Sequence, residues 1–273
     1  MIATRGERGN TAVTAEAGRY RFPAVLRSEW IKLRTVRSTR WTLLALVVLT
    51  VAIGIGVSIP EAQGVAHSAA RRAGFDPTNW SLSVLGFSQF LVGVIGVLVM
   101  SGEYSGGSIG TSLAAVPNRV RLLAAKAVVA GAATLLLGEV ITFSMFFSGQ
   151  AILASAGAPN ATLGQPGVLR AVTLSGLYLA LLALFGLGLG TICRRAAGAI
   201  VAYAGATFVS VFVLLGLGAG RYAPEIMLLN SVTAVRPQPE TGLAPGWDSI
   251  AVMGVYTAVA LVAGGILLVR RDA

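Results

Sequence analysis

The chain has 273 residues, of which 55% are hydrophobic and 12% are charged, whereas about 25% of residues are charged in soluble domains. This composition, with a mean hydropathy of +0.77, excludes a soluble globule and a disordered chain and leaves a polytopic membrane protein. The net charge is +10, and a single cysteine and a single histidine exclude a disulfide framework and most zinc or histidine-base chemistry.

The N-terminal segment changes character at residue 22. Residues 1–21 are polar and lack periodicity, which predicts a disordered basic cytoplasmic tail. Residues 22–40 are predicted to form an interfacial amphipathic helix, and Glu29 projects into its apolar arc. This helix is either an ordinary membrane-surface anchor or one that Glu29 fixes by pairing with a basic residue on a neighbouring cytoplasmic element. The arc comprises Phe22, Val25, Leu26, Trp30, Leu33 and Val36.

Six apolar runs follow, each close to the length of about 20 residues that crosses about 30 Å of hydrocarbon. The first run is longer than the apolar core of a cleavable signal peptide, and its charged leader is too long for one. We therefore predict an all-α fold in which residues 41–269 form a six-helix transmembrane domain. The predicted spans are about 41–59, 81–100, 127–151, 169–192, 196–218 and 250–269.

The distribution of lysine and arginine orients these spans. If the N-terminus is cytoplasmic, 16 of the 21 Lys and Arg residues lie in cytoplasmic segments. The positive-inside rule then predicts that both termini face the cytoplasm. Because these cations flank spans, we expect them to face anionic lipid headgroups, and we expect no nucleic-acid partner.

The connection between the second and third spans, residues 101–126, is the most informative segment. Ile109, Leu113 and Val116 stand at i, i+4 and i+7, which predicts one apolar stripe on a short helix. Pro117 ends that helix, and four nearby glycines weaken it by roughly 1 kcal/mol each. The segment is either a weak helix that a partner holds or a plain loop on the bilayer surface.

Glu139 is the only acidic residue inside a predicted span. Burying a charge there costs about 2.5–3.5 kcal/mol on insertion scales, so the side chain should face protein or water. It could contact a cationic substrate or titrate, or it could be a structural group that is protonated or bonded to Ser, Thr or Gln on an adjacent helix. We favour the structural interpretation of this possible intramembrane polar site.

Two segments connect spans on the predicted outer side. Residues 60–80 are expected to form a polar loop. Residues 219–249 carry enough apolar residues to suggest a segment that dips into the bilayer edge and packs on protein, or a small extracellular cap.

Several kinds of chemistry have no motif in the sequence. Neither of the two lysines, Lys32 and Lys126, follows a glycine, so no Walker loop can cradle ATP phosphates. With one histidine, no zinc protease motif is possible, and no base is placed in the spans to activate a serine. We expect that the chain is not catalytic by itself and holds no cofactor or metal.

Several stretches together resemble the membrane-spanning subunit of an ABC transporter, in the type-two permease family that mostly makes exporters. The segment 28–34 with Trp41 is similar to the surface helix that leads into the family's first span. The connection between its second and third spans is similar to Gly102-Glu103-Tyr104 followed by Gly107, Ile109, Leu113, Pro117, Arg119 and Lys126. Tyr222-Ala223-Pro224 and the terminal Arg270-Arg271-Asp272 also match. The motifs cover about 40 residues, and their order carries the resemblance more than any single one.

The resemblance implies a plasma-membrane complex in which two permease subunits each bind a separate ATPase, which supplies ATP and Mg. The second subunit would be another copy or a homologous permease. The helix at about 104–117 would couple ATPase closure to the membrane part. The implied coupling residues are Glu103, Tyr104, Ile109, Leu113 and Arg119, and the implied bracing residues of the surface helix are Glu29, Trp30, Lys32 and Arg34.

Other classes of membrane protein remain as alternatives. A subunit that anchors or assembles cytoplasmic proteins, without transport activity of its own, is the first of them. A secondary transporter comes next, although the paired intramembrane charges or broken helices that such proteins carry are not evident. An intramembrane enzyme comes last.

Overall fold

The computed structural model describes residues 22–35, 37–232 and 246–270, and every regular element among them is helical. The predicted tail 1–21 and the proline-rich part of the 219–249 segment lie outside the described residues. The α-helices are α1 Phe22–Thr35, α2 Arg37–His67, α3 Ala69–Arg72, α4 Pro77–Leu82, α5 Leu85–Ser105, α6 Ser108–Ala115, α7 Arg119–Ser155, α8 Val168–Cys193, α9 Ala196–Ala204, α10 Ser210–Gly216, α11 Pro224–Val232 and α12 Gly246–Arg270.

Among the described residues, six helical segments are long and apolar enough to cross a membrane, as the sequence predicts. They are Trp41–His67, Pro77–Ser105, Arg119–Ser155, Val168–Cys193, Ala196–Gly216 and Gly246–Arg270. The fourth agrees with its predicted bounds to one residue at each end. The third is much longer than predicted, because the polar first turns after Asn118 continue the same helix.

The predicted polar loop at 60–80 is wrong. Helix α2 continues through Pro60 to His67, and α3 and the start of α4 occupy much of what remains. The extension is stabilised by tertiary packing, because Ala62 and Val65 are fully buried in a cluster with Leu153 and Ala158. Apolar burial of this kind outweighs the backbone hydrogen bond that a proline removes.

Helix α8 lies at the centre of the bundle and packs on α5 with almost no separation. A Cβ atom at Gly96 would overlap the Ala183 carbonyl, and one at Gly190 would lie 2.7 Å from the carbonyl oxygen of Val97. Gly186 is equally close to the backbone of Gly93. Gly186 and Gly190, one helical turn apart, therefore allow a close crossing of the two helices.

The fifth span is broken into three helical segments, whereas the sequence predicts a single one at 196–218. Five residues between α9 and α10, Gly205–Val209, form a π-helix. Just before it, Tyr203 is fully buried and its hydroxyl donates to the carbonyl oxygen of Gln89 over 2.7 Å. Thr207 donates to the Tyr203 carbonyl from inside the π-helix. A π-helix adds one residue to a turn, so the residues on either side of it keep different faces toward the bundle.

The two ends of the bundle differ in charge. One end collects α1, α6, the start of α7 and the ends of α5, α8 and α12, and we call it the basic end. The cationic residues there whose side chains the structure describes are Arg27, Lys32, Arg34, Arg119, Arg121, Lys126, Arg194, Arg195 and Arg270, and the acidic ones are Glu29 and Glu103. The opposite end, here the far end, has the described cations Arg71, Arg72, Arg170 and Arg221 and the acids Glu61, Asp76, Glu225 and Asp248.

The described part of segment 219–249 packs on protein, as one of its two interpretations expects. After a short 3-10 turn, α11 buries Met227 and Leu228 in the main core. The hydroxyl of Tyr178 on α8 donates to the Pro224 carbonyl over 2.6 Å and holds the start of α11.

Candidate functional site

A buried pair of charges joins α1 to α7 at the basic end. Glu29 on α1 is 6% exposed, and its Oε2 accepts a hydrogen bond of 2.7 Å from Nζ of Lys126 on α7. Lys126 is 3% exposed, so neither charge keeps a shell of water and each depends on its partner. Glu29 therefore pairs with a basic residue of a neighbouring helix, as the second interpretation of this segment predicts.

Glu103, in the last turn of α5, closes the pair into a ring. Its Oε1 accepts from Nζ of Lys126 over 2.5 Å and from Nζ of Lys32 over 3.1 Å. Lys32 also donates to Oε1 of Glu29 over 2.8 Å. Glu29, Lys32, Glu103 and Lys126 thus alternate in sign around a closed ring, which we call the ion cluster. It ties α1, α5 and α7 together with no net charge.

The short helix α6 joins the same ring through a hydroxyl. Nζ of Lys32 donates to Oγ of Ser112 over 3.1 Å, and Ser112 is nearly buried on the inner side of α6. Three helices, α1, α5 and α6, therefore meet within hydrogen-bonding distance of the Lys32 ammonium group, and α7 joins them through Lys126. A lysine suits this position because its ammonium carries three donors on a flexible stem.

Burial and pairing act in opposite directions on Lys32. Partial burial alone would lower its pKa, but the hydrogen bond to Glu29 and the charges of Glu29 and Glu103 outweigh that effect. The pKa of Lys32 therefore lies above its ordinary value of 10.5. On the other side of the ring, Oε2 of Glu103 is buried and has no hydrogen-bond partner within the described chain.

Helix α6 directs its apolar stripe into the protein. It begins after Gly107, whose φ of +68° is the left-handed turn conformation that favours glycine, and it ends before Pro117, as predicted. Ile109 is 8% exposed and packs with Met100, while Leu113 is half-buried between two core clusters. The face left exposed carries small and polar residues: Gly110, Thr111, Ala114 and Ala115.

Two more of the predicted coupling residues also face the bundle. The guanidinium carbon of Arg194 lies 5.4 Å from the centroid of the Tyr104 ring, a favourable cation–π arrangement. Arg119 donates from Nη1 to the Leu268 carbonyl over 2.8 Å and so ties α7 to α12. Trp30 and Arg34, predicted as bracing residues, lie instead on the exposed side of α1.

The sequence around Lys126 indicates that this lysine is buried and paired, but it does not identify the partners. A lysine between Ala125 and Ala127, in the otherwise apolar run 122–130, is a strong indication of a buried and paired charge. Its partners could not be named because they lie 97 and 23 residues away along the chain. Ser112 carried no comparable signal.

Glu139 lies apart from the ion cluster, at the crossing of α7 and α8. Its Oε1 is 2.7 Å from the point where a Cβ atom would stand on Gly176, so this glycine makes room for the carboxyl group. Oε2 is buried and has no hydrogen-bond partner within the described residues. For this oxygen, a bond to Ser, Thr or Gln of an adjacent helix, as one interpretation expects, is therefore not present.

No group of three or more His, Cys, Asp or Glu that could hold a metal ion occurs in the ranges that the structure covers. No protein-family model matches the chain, and no curated protein matches it either. Composition and fold define the class: a multi-pass membrane protein whose described residues are all-helical and include six candidate spanning helices.

Proposed function

We propose that the chain is the membrane-spanning subunit of an ABC-type transporter of the type-two permease family, acting as an exporter. In this proposal it forms half of the translocation path and pairs with a second copy or a homologous permease in the plasma membrane. A separate ATPase binds and hydrolyses ATP with Mg, and this chain holds no cofactor and catalyses no reaction itself.

The observation that carries the proposal is the position of α6. A helix of eight residues, with a glycine turn before it and a proline after it, stands at the basic end between two spanning helices. Its inner side contacts the ion cluster through Ser112, and its outer side presents small residues such as Gly110 and Ala114. A partner seated on that side could push on α1, α5 and α7 together, because one ring of charges joins all three.

The charge asymmetry supports the orientation that this function requires. Of the Lys and Arg residues whose side chains the structure describes, nine lie at the basic end and four at the far end, a bias that the positive-inside rule associates with the cytoplasm. We therefore place both termini inside, α1 along the cytoplasmic membrane surface and α6 where a soluble ATPase could reach it. The same placement serves the main alternative, a subunit that anchors cytoplasmic proteins without transport.

The geometry changes which residues should be tested for ATPase contact. Ile109 and Leu113 pack inward, so a charged residue at either position would disturb the fold of the basic end as well as any contact. Ala114 is exposed on the outer face of α6, and Ala197 is exposed on α9 at the same end. The same substitution at these two alanines separates a contact on α6 from a general effect of added negative charge.

The experiment is affinity purification of the tagged chain in mild detergent, with mass spectrometry of the proteins that accompany it. We expect a stoichiometric soluble protein with a Walker loop, lost on Ala114→Glu and retained on Ala197→Glu. Crosslinking in intact membranes before extraction guards against loss of the partner in detergent.

Two outcomes would count against the proposal. Recovery of crosslinked partners that are not ATPases would favour the anchoring subunit. Retention of the ATPase by Ala114→Glu would leave the transporter class intact but would remove α6 as the contact.

A further inference from the structure

A groove of about 640 Å³ opens on the outer surface of the bundle at the basic end. It lies between the first turns of α7 and the last turns of α12, and its volume falls within the range of about 300–1,000 Å³ typical of ligand sites. It is lined by Val120, Ala124 and Ala127 on α7 and by Leu261, Ile266 and Arg270 on α12, among others.

The chemistry of the groove changes along its length. Its walls are apolar from Leu261 up to Val269, and Arg270, an exposed cation, stands at the end nearest the helix termini. From Val120 to Ala127 the groove runs along eight residues of α7, which are seven helical steps or about 10 Å at 1.5 Å per step. A ligand that fits has an apolar chain of roughly this reach and an anionic group at one end.

The walls of the groove are held in place independently of any ligand. Arg119 donates to the Leu268 carbonyl and joins α7 to α12 near the end of the groove that carries Arg270. Leu123, which lines the groove, also packs inward with Leu187 and Leu268. The two walls are therefore joined by contacts of the chain itself.

We propose that this groove binds an anionic phospholipid of the leaflet at the basic end, with an acyl chain along the apolar walls and the phosphate on Arg270. Apolar walls that end at a cation match the shape of a phospholipid, which joins an apolar chain to a charged headgroup. Occupation by a second copy of the chain is an outcome that the test below distinguishes. Basic residues beside an apolar cleft between spanning helices are the arrangement that recognises anionic headgroups.

The test is native mass spectrometry of the full-length protein in nonionic detergent, with phosphatidylglycerol or phosphatidylcholine of identical acyl chains added in turn. We expect phosphatidylglycerol to bind more tightly. Arg270→Gln should reduce that preference about fivefold, the effect of one arginine near an anionic surface. Arg195→Gln removes the same charge from an exposed position at the same end and should leave the preference unchanged.

A second pair of variants tests the groove itself. Ala124→Phe fills the groove and should reduce binding of both lipids, whereas Ala132→Phe, at an exposed position on α7 outside the groove, should not. Equal binding of the two lipids by the unmodified chain would overturn the proposal. So would an equal effect of Arg195→Gln and Arg270→Gln, or loss of a dimer with unchanged lipid binding in Ala124→Phe. These readouts need no ATPase, so they are independent of the transport proposal.

Discussion

The two ends of the bundle hold their peripheral helices with different chemistry. At the basic end, α1 and α6 are held by ammonium and carboxylate groups that meet in the ion cluster. At the far end, α4 is held by a neutral side chain, Gln150 of α7. Its Nε2 donates to the Pro77 carbonyl over 3.0 Å and to Oγ of Ser81 over 2.8 Å, and its Oε1 accepts from the Ala161 amide over 2.7 Å.

The difference lies in how much movement each arrangement allows. The far-end amide is planar and bonds to two backbone groups, so it specifies one position for α4 and for the loop at residue 161. In the ion cluster every partner is a side chain, and the ammonium groups are compact charges on flexible stems. Small shifts of α1 or α6 can therefore be accommodated without breaking the ring, as the proposed contact with an ATPase requires.

The largest loss of unfolding free energy is expected for Lys126→Met, at the basic end. Removing this ammonium leaves two buried carboxylates with only half-exposed Lys32 between them, and breaking a buried ion pair in this way costs about 3–5 kcal/mol. Lys32→Met is the matched control, because the side chain of Lys32 is 45% exposed and solvent screens its charge. Its loss should cost about 1 kcal/mol or less.

Denaturant titration of both variants in detergent, followed by tryptophan fluorescence, measures the two losses of unfolding free energy. Equal losses of unfolding free energy in the two variants would contradict the prediction. They would mean that the difference in burial between Lys126 and Lys32 has no effect on how much each stabilises the protein.

A smaller loss of unfolding free energy is expected for Gln150→Leu, at the far end. The substitution leaves the buried Ala161 amide unsatisfied and removes two further bonds, which should cost about 1–3 kcal/mol. Gln165→Leu makes the same chemical change at an exposed position of the same end and should be nearly neutral.

Hydrogen exchange followed by mass spectrometry locates the damage of Gln150→Leu. Protection should fall in α4 and around residue 161 while α1 keeps its protection. Loss of protection in α1 would show that the two ends are not held independently.

The sequence predicts this fold where the signal is local. Span length and apolar content place six helices, and Pro117 ends α6 where expected, because each signal is contained within about 20 residues. The extension of α2 through Pro60 could not be predicted, since it depends on packing against Leu153 and Ala158 from a distant helix.

The candidate site also has features that the sequence predicts and features that it does not. Glu29 is visible as a charge inside an apolar arc, so its need for a partner follows from the sequence, but the partner's identity does not. The stripe on α6 is also visible, yet periodicity alone cannot say whether Ile109 and Leu113 face a partner or their own core. Gln150 gave no signal, because a single amide in an apolar run is compatible with many environments.

The smallest expected effect is a pH dependence of stability that involves Lys32 at the basic end but not Gln150 at the far end. Because the pKa of Lys32 is above its ordinary value of 10.5 in the folded protein, its stabilising contribution is complete below 10.5 and is lost as pH rises through the raised value. The stability difference between the unmodified chain and Lys32→Met should therefore be constant at lower pH and shrink above 10.5. Gln150 carries no titratable group, so the difference between the unmodified chain and Gln150→Leu should not change over this range.

Thermal unfolding of the three proteins at matched ionic strength measures both differences. A Lys32 difference that stays constant well above pH 10.5 would mean that its ammonium gains nothing from Glu29 and Glu103, and the ring would reduce to the two bonds of Lys126.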